Sequence, residues 1–390
     1  MNIIYVGDCG PKPSGAPISC DQLTRAFARQ GWRVRVLAPA LSAGDPDLAA
    51  FDAARPEIEA HHYPVPHYFF HPFERLPAEW EAATAAGVAD GLAHLIADAR
   101  PDVLLVRELW LPYALPAAVR HAIPSVAMVR GNPTSAILAG VFPGDLVERF
   151  LGELRKADRI VTVARHFLPG LRELGFVNVE CVPNAIDLTV FAPRERDRAL
   201  AARLGIEDTD IVVLHASQIR PIKRPLDIVR SARRVLQRNP RVLYLIVGEG
   251  MSRGEMQALA EASGVVERFR FEPFVDNGQM PQYMNLADLV VMPSEREGLS
   301  RVYLEAQACA KTLVASDIAG AREVVTHGET GLLFRKADID DLADKTVLAA
   351  GDPALRARMG RQARRYVERY HDIDQAVDQY MALLQLQCGL

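Results

Sequence analysis

Cysteine is scarce in this chain of 390 residues: five in all, at Cys9, Cys20, Cys181, Cys309 and Cys388. An odd number at such wide spacings excludes a disulfide framework and a CxxC metal pair, so a reducing, cytoplasmic compartment is expected. No apolar run approaches the roughly 20 residues needed to span a bilayer. The first residues enter Ile3-Ile4-Tyr5-Val6 without a basic flank, so no cleavable leader is expected. A basic surplus is missing as well. The net charge is −4, which argues against a nucleic-acid partner, since phosphate neutralisation needs excess lysine and arginine. No low-complexity segment and no short repeat is present.

What is there is an alternation of apolar strand and amphipathic helix, run through twice. Strands are expected near Ile3–Val6, Val34–Leu37, Val103–Val106, Ser125–Val129, Ile160–Val163 and Val179–Val182. The pattern restarts at Ile211–Leu214 and continues through Val242–Val247, Phe269–Phe274, Leu289–Met292, Leu313–Ala315 and Leu332–Phe334. Continuous β-branched runs joined by helices imply parallel sheets covered on both faces. The fold class is therefore α/β, with two doubly wound Rossmann-like domains facing across a cleft. The expected division is 1–184, 185–365 and a C-terminal helical stretch 366–390 that returns to the first domain. The polar run from Ala192 to Arg198 reads as the linker. In such folds ligands bind at the carboxyl ends of the strands, which directs attention to the loops that follow them.

Three loops carry candidate chemistry. Met292-Pro293-Ser294-Glu295-Arg296-Glu297-Gly298-Leu299-Ser300-Arg301 leads from a strand into a helix, whose first amides (Leu299, Ser300, Arg301) suit phosphate and sugar oxygens. Glu305 lies further along that helix, where a carboxylate can accept from a vicinal diol such as ribose. Glu297 and Glu305 also fit two ordinary carboxylates at a helix start. The second loop, Ser217-Gln218-Ile219-Arg220-Pro221-Ile222-Lys223-Arg224, brings cations suited to a diphosphate, or is a basic loop in water. In the third, Gly7 to Ala16, Gly15 opens a helix and would allow close backbone approach to a phosphate. Its spacing is not the dinucleotide GxGxxG fingerprint.

Taken in order, these segments resemble the retaining GT-B glycosyltransferases called family 4. The resemblance rests on the E-x7-E pattern Glu297 to Glu305, Pro183-Asn184-Ala185-Ile186-Asp187, Val247-Gly248-Glu249-Gly250, Gly320-Ala321-Arg322-Glu323 and Gly328-Glu329-Thr330-Gly331-Leu332. It implies sugar transfer from a nucleotide-diphosphate sugar of UDP or GDP type to a hydroxyl acceptor, with no cofactor; no acidic pair after a strand resembles a metal-binding DxD, so no metal is expected. It assigns Lys223 and a neighbouring arginine to the diphosphate, Glu305 to the ribose, and Glu297 to the donor sugar. It sets Gly15 by the distal phosphate and the main chain of Phe274 and Val275 by the base. Where the family usually carries an arginine, five residues before the lysine, this chain has Gln218, so Arg220 is expected to substitute. Arg130, in Val129-Arg130-Gly131-Asn132, stands where the family has a histidine. Arg107, Glu108, Arg130 and Asn132 are the candidates for acceptor or sugar contact; Arg107 and Glu108 also fit a structural ion pair. A non-catalytic nucleotide-sugar-binding protein and a sugar-nucleotide epimerase on the same fold are the alternatives.

Four histidines, His61, His62, His67 and His71, are interleaved with aromatics in 61–73. Their spacing is not that of a metal site on a helix face, and an irregular loop is expected there. An exposed aromatic loop is also a candidate for peripheral contact with a membrane. The arginines between Arg356 and Arg369 read as a solvated or interdomain helix face.

Overall fold

A computed structural model of the chain describes residues 1–9, 15–41, 46–66, 77–131 and 133–388. They form two compact units, Met1–Asn184 with the returning segment from Ile373, and Ala185–Asp372.

The first unit is built on a parallel sheet of β1 (Asn2–Val6), β2 (Arg33–Ala40), β3 (Glu59–Pro64), β4 (Val103–Arg107), β5 (Ser125–Val129), β6 (Arg159–Thr162) and β7 (Val179–Cys181), in the order β3-β2-β1-β4-β5-β6-β7. β1, β4 and β5 are buried almost without interruption, as strands covered on both faces must be. β3 is a strand where an irregular loop was expected. His61 bonds Glu59 and His62 bonds Asp52, each at 2.9 Å, so these side chains serve an edge strand paired with β2. The rest of that aromatic stretch, His67 and His71 included, lies outside the described residues. The helix Gly15–Arg29 packs against the helix Ile373–Cys388, with the rings of Phe27 and Tyr380 edge-on at 5.7 Å.

The second unit holds β8 (Ile211–Ala216), β9 (Val242–Val247), β10 (Phe269–Glu272), β11 (Leu289–Met292), β12 (Thr312–Ser316) and β13 (Gly331–Phe334), all parallel, in the order β10-β9-β8-β11-β12-β13. Every residue of β8, β9, β11 and β12 is buried.

Two boundaries differ from expectation. The helix Pro353–Tyr370 stays in the second unit, so the return to the first begins at Ile373 rather than 366. The 192–198 stretch is not a free linker. Asn285 accepts from the Arg194 amide at 2.8 Å and donates to the Ala192 carbonyl at 3.0 Å, which fastens it to the second unit. The late arginines serve as caps. Arg356 donates to the carbonyls of Ala349 and Ala350, and Arg364 to that of Ala308, helix ends whose last carbonyls have no partner within their own helix. No helix among the described residues is long and apolar enough to cross a membrane.

Candidate functional site

In the second unit the strand order reverses between β8 and β11, and the loops after these neighbours run side by side at the carboxyl edge. A crevice opens at such a reversal, because the two chains leave in opposite directions. The loops are stitched together. The Glu295 amide donates to the Ile222 carbonyl at 2.8 Å. Arg224, held at φ 49°, joins Asp227 at 2.6 Å and Glu295 at 3.2 Å, and Lys336 reaches Glu295 at 2.9 Å.

The same stitching brings Lys223 Nζ to 2.5 Å from Glu297 Oε1, which also accepts from Ser294 Oγ at 2.8 Å. Both side chains are mostly shielded, 18% and 10% exposed, so little solvent screens the pair. Arg220, on the same loop as Lys223, feels Glu297, while burial lowers its pKa.

Beneath them is His215, the last polar side chain of β8. Its Nδ1 donates to the Val291 carbonyl at 2.9 Å, because a carbonyl can only accept. Nε2 is then a bare acceptor for the Ser217 hydroxyl at 2.8 Å. Burial holds His215 neutral, lowering its pKa to about 4. One imidazole thus ties β8, β11 and the start of the cationic loop together.

Glycine admits the neighbouring loops. Gly248 (φ 131°) follows β9, and a Cβ there would run into the Ser217 carbonyl; one on Gly250 would run into that of Ile219. A Cβ on Gly320, after β12, would strike the carbonyls of Gly298 and Glu297. Four loops therefore close on one another where only hydrogen fits.

The helix Arg301–Ala308 starts after Ser300, whose side chain makes no cap. Leu299, Ser300, Arg301 and Glu305 are all buried. Glu305 is paired with Arg301 one turn earlier. On the loop after β10, Phe274 is 38% exposed while Val275 is buried.

In the first unit the order reverses between β1 and β4. An ion pair spans that reversal too: Arg107 Nη1 bonds Asp8 Oδ1, so Arg107 pairs with Asp8 rather than with Glu108. Glu108 is 1% exposed and accepts from the Arg130 amide at 3.3 Å and from Thr134 Oγ1 at 3.1 Å. It holds the loop after β5, and burial pushes its carboxyl up to about 7. Arg130 donates to Asn184 Oδ1 at 2.6 Å. Asn132 lies outside the described residues, and Gly15 opens the helix Gly15–Arg29.

Lys223, Arg220 and Glu297 are thus gathered in the second unit, with Glu305 on the adjoining helix; Arg107, Glu108 and Arg130 are gathered in the first. Sequence reasoning gave no role of their own to Asp8, His215, Ser217, Ser294 and Asn184. His215 left a signal, an ionisable residue in an otherwise apolar strand. Among the described residues no group of three or more His, Cys, Asp or Glu side chains is placed to hold a metal ion.

Two family models cover nearly all of the chain. "Glycosyltransferase Family 4" matches residues 13–190 and "Glycosyl transferases group 1" matches residues 197–366. The chain belongs to the GT-B glycosyltransferases. Relatives of this chain include D-inositol 3-phosphate glycosyltransferases. That of Kribbella flavida is 33% identical over 275 residues, 67% of this chain and 62% of that protein. That of Actinosynnema mirum is 29% identical over 385 residues, 92% and 88% of the two chains. The chain therefore spans a little under two thirds of the Kribbella flavida relative's length. Solved structures with the same fold include Anabaena HepE in complex with UDP and glucose (TM-score 0.79, 20% identity) and sucrose-phosphate synthase from Thermosynechococcus elongatus (TM-score 0.80, 19% identity). Each match covers 99% of both chains.

Proposed function

We propose that this glycosyltransferase moves a sugar from a nucleotide-diphosphate sugar, of the UDP type, to a hydroxyl acceptor with retention at the anomeric carbon. The observation that carries the reading is the Lys223–Glu297 pair at the strand-order reversal of the second unit, on the loop that leads into the 301–308 helix. Lys223 and Arg220 would take the diphosphate, Glu305 the ribose and the face of Phe274 with the Val275 main chain the base. Glu297 would hold the donor sugar and direct the Lys223 ammonium. Arg107 and Arg130 are the acceptor-side or sugar-side candidates, with Gly15 by the distal phosphate. The UDP preference is supported by the UDP complexes of Anabaena HepE.

In this reading the bond between the anomeric carbon and the β-phosphate oxygen breaks. The acceptor oxygen bonds to the same face of that carbon, and its proton passes to the departing diphosphate. Fixed cations and amides stabilise the charge that grows on the diphosphate, without reorganising during the reaction. Cations in that place let the transfer proceed without a metal; activity abolished by EDTA and restored by a divalent ion would refute this part. A thermal-shift screen of UDP and GDP sugars tests the donor, since a ligand bound only by the folded state raises its melting temperature. A shift with UDP sugars and none with GDP sugars is expected. NMR of the product anomer tests retention; an inverted product overturns it.

A further inference from the structure

Arg301 is in an unfavourable place. It is the first residue of the 301–308 helix and only 5% exposed, where the helix dipole favours an acid and opposes a cation. A buried guanidinium there needs a compensating partner, and it has one. Arg301 Nε and Nη2 reach Glu305 Oε1 at 3.2 and 2.9 Å, and Nη2 extends to Asn277 Oδ1 at 3.4 Å. Asn277 belongs to the same loop as Phe274 and Val275.

Two details of the pair matter. Both bonds fall on one carboxylate oxygen; among the described residues nothing is bonded to Oε2. The pair also acts on the charge of Glu305: burial raises its pKa and Arg301 opposes that shift. Tyr303 and Leu304, on the same turn, are fully buried, so the backbone beneath Glu305 cannot shift to find another partner.

We propose that Arg301 is a positioning residue for the donor nucleotide: by gripping one oxygen of Glu305 it fixes the carboxylate with the other oxygen presented to the ribose hydroxyls. This rests on the reading of Glu305 as the ribose acceptor.

The test is calorimetric binding of UDP and 2′-deoxy-UDP, and of 3′-deoxy-UDP, to the full chain. In the wild type, removing a hydroxyl should weaken binding by about tenfold, the cost of a lost bond to a charged group. In Arg301→Leu, UDP should bind about tenfold more weakly, and removing a hydroxyl should then matter less than about threefold, as in Glu305→Gln. Arg301→Lys, which keeps the charge, should restore part of the discrimination. Arg301→Gln serves if the leucine variant does not fold by circular dichroism. A variant that binds UDP more weakly but keeps the full wild-type discrimination shows a merely structural arginine and overturns the proposal. If Glu305→Gln itself keeps full discrimination against both deoxy analogues, the ribose reading fails and takes this proposal with it.

Discussion

Lys223 and Glu297 stand 74 positions apart in the chain and 2.5 Å apart in space, each on the loop after one of two neighbouring central strands. The first unit has a similar pair in Asp8, on the loop after β1, and Arg107, the last residue of β4. In both units a charged pair sits at the carboxyl ends of the two strands between which the order reverses.

Removing the ammonium should therefore act mainly on turnover. Lys223→Ala is expected to lower kcat by about 10²–10³-fold, the usual loss for one charge-stabilising group, with a smaller change in donor KM. Steady-state kinetics across donor concentrations measures both. A kcat at the wild-type level would move the chemistry elsewhere.

His215 should make the second unit acid-sensitive. Its pKa in the folded chain, about 4, lies below the ordinary 6.5, so its contribution is present above about 6.5 and is lost as pH falls toward 4. The shift corresponds to about 3 kcal/mol at most. His215→Gln, which does not titrate, should show a shallower fall in melting temperature between pH 7 and 4.5. A fall as steep as the wild type's would show that His215 is not the group responsible.

Glu108 works in the opposite direction. Its folded pKa, about 7, lies above the ordinary 4.5, so the stability it contributes is full below about 4.5 and lost as pH rises through 7. Glu108→Gln keeps an oxygen for the Arg130 amide and carries no charge. It should gain on the wild type by roughly 1–3 kcal/mol at pH 8.5 and by far less at pH 5. Chemical denaturation at the two pH values measures the difference. An equal gain at both would point to packing instead.

Gly248→Ala forces a methyl group against the Ser217 carbonyl at a backbone angle of +131°. The loop must move or the unit must strain, at a cost on the order of 2–3 kcal/mol. Because Ser217 starts the cationic loop, donor affinity should fall with stability. Gly254→Ala, where a Cβ meets nothing within 4 Å, is the control. Similar melting curves for the two variants would contradict the close approach.

The fold was legible because buried parallel strands write themselves as unbroken apolar runs; Val242–Val247 and Leu289–Met292 have the same limits in sequence and structure. β3 was not legible, since its row of histidines is tolerated only at a sheet edge. The loops of the site could be read from Lys223, Glu297 and the glycines. Partnerships could not. No local pattern says that Arg107 turns to Asp8, 99 positions away, or that Asn285 fastens the supposed linker. The Arg301–Glu305 pair lay within reach, four residues apart on a helix, but the chain around it had to be known to be buried before it meant anything.

The packing of Tyr380 on Phe27 also has a bearing on how the chain is made. During synthesis the second unit, unbroken from Ala185 to Asp372, emerges whole and can close on itself. The first unit must wait, nearly two hundred codons longer, for the helix Ile373–Cys388 to leave the ribosome before its opening helix is covered. A chain cut short before Ile373 therefore keeps every residue of the second unit and lacks the helix that covers the first.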